Sequence, residues 1–124
     1  MNRGIITISE MGAVTIPTAP VWMTQQEITD LFGVFSSHVR KAIHSIYKNK
    51  EVSELDTMRY VRQADGISCD VYSIEMVMAI AFRICSKESM AFRRYVTHKV
   101  GETAKASPIM FFVSVGRTGN VWGS

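Results

Sequence analysis

Residues 24–44, TQQEITDLFGVFSSHVRKAIH, decide how this chain is read, because they carry the signals of two helices set against each other across a glycine turn. Thr24 stands where a helix begins. Glu27, three residues on, completes a capping box in which hydroxyl and carboxylate each bond the other residue's amide. Met23 and Ile28 flank that start as a hydrophobic staple. The first helix then buries Ile28, Leu31 and Phe32 along one stripe and stops at Gly33, which takes the left-handed backbone that a sharp helix end prefers. Ser36 or Ser37 caps a second, longer helix, whose buried stripe is Val39, Ile43, Ile46 and Tyr47, with Ala42 at a close approach. Between residues 36 and 50 stand Arg40, Lys41, Lys48 and Lys50 with His38 and His44, and no carboxylate. Such a row lowers stability unless something anionic comes to it.

Ile28, Phe32, Val34, Val39 and Ala42 fall at the packing positions of a helix-turn-helix, with Gly33 in the turn. Two positions depart from that pattern. Thr29 stands where the helices touch and a very small residue is usual, and Ala42 is smaller than the usual branched residue. The outer face of the second helix, Ser36, Ser37, His38, Arg40, Lys41, His44 and Lys48, supplies donors suited to phosphates and guanine edges. The plainer reading of such a face is that it is merely solvated.

Downstream, an acidic linker holding Glu51, Glu54 and Asp56 leads to TMRYVRQ and ISCDVYS, which surround Ala64-Asp65-Gly66. An Asp-Gly pair between alternating runs predicts a hairpin over 57–72, since its turn needs residues that tolerate positive φ. A hairpin after the second helix is the layout of a winged helix, and here the wing would bring Arg59 and Arg62 to the DNA backbone. Ser73 then caps a core helix over 74–85, and Ser86 caps another over 87–100 that buries Phe92, Val96 and Val100 and shows Arg93, Arg94 and His98. Upstream, residues 4–17 read as a short hairpin and 17–20 as an extended connector between two prolines. The last stretch, 106–124, contains IMFFVSV, a strand-like run whose pairing partner is either the hairpin at 4–17 or a second copy of the chain. The expected fold class is therefore α+β: a winged helix-turn-helix-like domain over 1–105, with an N-terminal hairpin and a C-terminal helix pair, then a strand-like tail.

Composition sets the bounds on this reading. A chain of 124 residues, 47% hydrophobic and 20% charged, makes one globular domain without help from metals or disulfides. A net charge of +3 is only a mild attraction to phosphate-bearing partners, so the placement of charge matters more than its sum. Cys69 and Cys85 lack metal-type spacing and read as two buried thiols in a reducing cytosol. The N-terminus carries no secretory pattern, and the most apolar run, Ile74 to Cys85, falls short of the ~20 residues a bilayer span needs. The expectation is a cytoplasmic protein without membrane contact.

The run VWMTQQEITDLFGV, the basic helix after it, and the later stretch DVYSIEMVMAIAFRICSKESMAFRRYV together resemble the amino-terminal region of the RhuM family of bacterial virulence-associated proteins. The likeness covers roughly residues 4–100 and is most specific over Trp22 to Val34 and Tyr72 to Val96. It implies a DNA-binding domain related in style to phage and mobile-element regulators, with no established chemistry. Members of that family continue with a further helical region, where this chain carries IMFFVSVGRTGNVWGS.

Other chemistry finds little footing. Gly116-Arg117-Thr118-Gly119 is a GXXG tetrapeptide, but it follows a strand-like run rather than joining two helices, so it reads as a turn. His38, His44 and His98 lack the spacing of a metal site, and the serines of SSH and SKES read as caps without a placed base. No enzyme, cofactor or metal is expected. The expected function is reading of double-stranded DNA by the helix at 36–47, as a transcriptional or mobile-element regulator, with a homodimer across two half-sites the outcome if the tail strand pairs between chains rather than with the hairpin at 4–17. The competing class is a protein-interaction module on a winged-helix scaffold.

Overall fold

The computed structural model describes residues 3–62, 64 and 66–106, with side chains as far as Gly101. It is a mixed α+β structure that divides into two units between Arg93 and Arg94. In chain order its elements are β1 (Thr7–Ile8), β2 (Val14–Thr15), β3 (Trp22–Thr24), α1 (Gln25–Phe32), α2 (Ser36–Lys48), α3 (Glu54–Thr57), β4 (Met58–Arg62), β5 (Ser68–Ser73), α4 (Ile74–Ala81) and α5 (Lys87–Ala106). The last of these crosses from the first unit into the second. Among the described residues no helix is long and apolar enough to cross a membrane.

The first hairpin is shorter than the sequence reading of 4–17. Only Thr7↔Thr15 and Ile8↔Val14 pair, around a turn in which the Gly12 amide bonds the Ser9 carbonyl. Gly4 instead bridges Val21 in parallel, its N–H donating to Pro20 O at 2.8 Å. The contact is so close that a Cβ on Gly4 would stand 2.4 Å from Ala19 O.

β3, β5 and β4 form a sheet in that order, both pairings antiparallel, so the second strand of the 58–73 hairpin is central. The register Met58↔Tyr72 to Arg62↔Ser68 leaves a five-residue loop of which Gln63 and Asp65 lie outside the described residues. Gly66 there has φ 87°. The acidic stretch read as a linker holds a one-turn helix, α3, whose Thr57 side chain donates to Ser53 O and meets the Tyr47 hydroxyl at 2.8 Å.

Against this sheet pack α1 and α4, and α2 packs on those two helices. Met23, Ile28, Phe32, Val39, Ile46, Val71, Met76, Val77 and Ile80 are fully buried, and Phe32 meets Phe92 of the first turns of α5 edge to face at 5.8 Å. No buried side-chain nitrogen or oxygen among the described residues lacks a hydrogen-bond partner. Leu31, expected in the buried stripe, is half-exposed, and of the two cysteines expected to be buried Cys69 is half-exposed on β5 and Cys85 is exposed between α4 and α5.

α4 ends at Ala81 rather than at 85. The Arg83 and Ile84 amides both return to Ile80 O, a tightened last turn that buries Ile84 before α5 starts. Ser73 occupies the position before α4, yet its hydroxyl donates to Glu75 instead of capping a backbone amide. Ser86 does cap α5, through reciprocal bonds with Ser89 at 2.9 and 3.0 Å. α5 runs past 100 to Ala106, and Val100 is 43% exposed rather than buried, with Val96 between those extremes. Gly101 disfavours helix by only about 1 kcal/mol and does not stop it. The tail expected as a strand lies, beyond Ala106, outside the described residues.

Candidate nucleic-acid interface

α1 begins as its sequence implies. The Glu27 amide donates to Thr24 Oγ1 at 3.1 Å, and the Thr24 amide donates to Glu27 Oε1 at 2.8 Å. Arg3 adds a bidentate ion pair to the same carboxylate and donates to Trp22 O. Burial opposes ionisation of Glu27, but the Arg3 bond and the Thr24 amide outweigh it and hold the carboxyl below its ordinary range. At the other end Gly33 takes φ 61°, and its amide and that of Val34 both return to Thr29 O. Thr29, the oversized residue where the helices touch, is buried with its hydroxyl donating to Gln25 O at 2.8 Å, so the extra polar atom is satisfied within its own helix.

α2 departs from expectation at its head. Phe35, not Ser36 or Ser37, is the capping residue, and no side chain caps the helix. The Ser36 hydroxyl instead receives a bond from Gln25 Nε2 at 3.1 Å, which ties α2 to α1. Val39, Ala42, Ile43 and Ile46 are buried as the stripe predicts, and Tyr47 is half-buried. The opposite side presents Ser36, His38, Arg40, Lys41, His44 and Lys48 to solvent, with Ser37 half-exposed. Among the described residues none of Arg40, Lys41, His44 and Lys48 has a carboxylate within ion-pair distance; the pairs there are Arg3–Glu27 and Arg83–Glu51.

This face has two flanks. Arg40, His44 and Lys48, one helical turn apart, line a cleft of about 520 Å³ whose far wall is Met58, Asp70 and Tyr72 of the hairpin with Glu54 of α3. His38, Lys41 and Ser45 line a second hollow against residues 83–86. The hairpin arginines divide as well. Three residues apart on a strand, Arg59 and Arg62 point to opposite faces. Arg62 shares its face with Tyr60, Asp70 and Tyr72, hence with the cleft beside α2. Arg59 lies on the other face, its guanidinium 4.4 Å from the centre of the Trp22 ring. The structure therefore brings Arg40, His44, Lys48 and Arg62 to one side of the hairpin, and not Arg59.

Sequence reasoning missed the cleft's aromatic and acidic members. Tyr72 is buried, and burial, with Asp70 and Tyr47 close by, raises its phenol to about 12. Tyr47 is raised by burial too. Their rings lie 6.5 Å apart. The signal that would have found Tyr60, Asp70 and Tyr72 together is strand alternation, once a register is known. Phe35, 73% exposed with its ring edge to face with His38 at 5.7 Å, had no such signal. Among the described residues no group of three or more His, Cys, Asp or Glu is placed to hold a metal ion. Compared with protein-family models, curated proteins and solved structures, the chain matches none.

Proposed function

We propose that this chain is a duplex-DNA-binding protein of winged helix-turn-helix type, a regulator of the kind its resemblance to the RhuM family implies. The observation that carries this reading is the cationic face of α2, where none of Arg40, Lys41, His44 and Lys48 has a carboxylate within ion-pair distance, on a helix with four buried apolar residues that packs on α1 and α4. A helix so anchored can enter the major groove as a rigid body. The hairpin supports it too, because Met58, Asp70 and Tyr72 line one cleft with Arg40, His44 and Lys48 of α2, an arrangement compatible with a wing beside a second helix. In this reading Arg40 and Lys41 take phosphates or guanine edges near the helix start. Ser36, Ser37, His38, His44 and Lys48 serve the flanking contacts, and Arg62 reaches the backbone from the wing. Arg59 serves a phosphate only from the far side of the wing, with its guanidinium stacked on Trp22. A pair of chains on two half-sites about 34 Å apart completes the proposal.

The test is titration of random-sequence duplex at several salt concentrations with the wild type and Arg40→Ala/Lys41→Ala. The double mutant is expected to bind more weakly and to flatten the log–log salt slope by about two, one unit per phosphate released. An unchanged slope in a folded double mutant removes α2 from the interface.

A second reading, a protein-interaction module, draws on Glu54 and Asp70, which put two carboxylates across the cleft from Arg40 and Lys48 where a phosphate would be repelled. It expects no duplex binding at low salt.

A further inference from the structure

At the head of α2 one side chain breaks the local rules. The position before a helix favours Ser, Thr, Asp or Asn, whose oxygens bond the first free amides. Here it holds Phe35, which offers only its carbonyl, to the His38 and Val39 amides at 3.0 and 3.5 Å. The phenyl ring is 73% exposed, a cost in water that its neighbours do not relieve. It is also held in place: the His38 ring stands edge to face with it at 5.7 Å and 73°. In the hollow that Phe35 lines stand His38 and Lys41, and Lys41 has no carboxylate within ion-pair distance. A residue that forgoes a cap and exposes an aromatic ring beside a cation is better explained by a ligand than by the fold.

That ligand carries anionic charge beside an apolar feature small enough for one ring. In the major groove the backbone supplies the charge, and the apolar feature is the C5-methyl group of a pyrimidine, which side chains such as Phe contact directly. The N-terminal residues of a recognition helix are the ones that meet base edges. We infer that Phe35 is a specificity-determining residue that packs against the C5-methyl group of a pyrimidine at the head of α2. The inference rests on the DNA reading above and deepens it from charge to base identity. Thymine and 5-methylcytosine share this chemistry.

The experiment uses the full chain. Tight duplexes are selected from a random pool, and the dissociation constant is measured for each as selected, with uracil in place of thymine, and with cytosine 5-methylated, for the wild type and Phe35→Ser. Serine is a favoured capping residue and the ring it replaces is exposed, so this variant is expected to fold; its circular dichroism and melting check that. The expected result is that wild-type binding weakens about fourfold for each contacted methyl group removed as uracil, while Phe35→Ser binds thymine and uracil duplexes alike with an unchanged salt slope. A gain on cytosine methylation that Phe35→Ser loses, without any uracil effect, also supports the contact and assigns it to 5-methylcytosine. If the wild type is indifferent to both substitutions, or the variant keeps the wild-type preference, the inference falls while salt-dependent binding keeps the DNA reading. If no duplex binds, both fall.

Discussion

Lys50 has a φ of 57° immediately after Asn49, the residue that ends α2. Its amide returns to Tyr47 O at 3.1 Å and that of Glu51 to Ile46 O at 3.0 Å, the pair of bonds that normally requires a left-handed residue and normally finds glycine there. A side chain in this conformation crowds the following carbonyl at roughly 1–2 kcal/mol, partly offset because glycine has more freedom to lose on folding. Lys50→Gly is therefore expected to raise stability by about 1 kcal/mol, seen as a higher midpoint in urea at unchanged slope; Lys50→Ala, which keeps the Cβ, is expected to show no comparable gain. The comparison with Gly33 shows what single residues announce. Gly33 was legible as a helix end because its residue type matches its φ of 61°. Lys50 was not, since lysine carries no such preference and only the path of the chain into α3 imposes the turn. Phe35 was hidden for a similar reason: two serines beside it attracted the capping assignment, and helix α2 begins one residue earlier than they suggest.

Among the elements, the start of α1 is held by one carboxylate with two tasks. Glu27 completes the capping box and pairs with Arg3, joining the N-terminal segment to the helix. Its folded-state pKa lies below the ordinary value of 4.5, so the stabilisation it contributes is present above that value and is lost as pH falls through the lower, folded one. Glu27→Gln keeps a side chain able to close the box but has no charge to pair with Arg3. The stability gap between wild type and Glu27→Gln is thus expected to be largest near neutrality and to shrink in denaturation curves as pH is lowered from 7 towards 3; a gap constant across that range would mean the ion pair adds nothing. The amphipathic stripe of α2 and the capping box were legible because both are set by residues three or four apart. The helix of residues 54–57 was not, for one turn is too short to show a period. On the hairpin, the opposite facing of Arg59 and Arg62 follows from strand alternation alone, but which face meets α2 does not.

Across the whole first unit, Phe92 shows how the elements depend on one another. It comes from the first turns of α5, is fully buried, and lies edge to face with Phe32 of α1. Phe92→Ala is expected to cost about 3–5 kcal/mol, because the surrounding helices and sheet collapse only partly into the space left, and thermal melting would register it as a large fall in midpoint. A shift no larger than that of a surface substitution would mean that α5 docks on the unit without contributing to its core. The sequence by itself determined the local events: the start of α1 at Thr24, its end at Gly33, the buried stripe and cationic face of α2, the hairpin near Gly66 and the Ser86 start of α5. These depend on caps, turns and periodicities that act over a few residues and need no partner from elsewhere in the chain. Only the tertiary structure decided that β3 pairs with β5, that α4 stops early so Ile84 can be buried, that Asp70 and Tyr72 face Arg40 across a cleft, and that Phe35 stands in solvent. Those outcomes turn on which apolar surfaces bury one another over tens of residues of separation, and burial of that kind is a property of the assembled elements that no short stretch of sequence encodes.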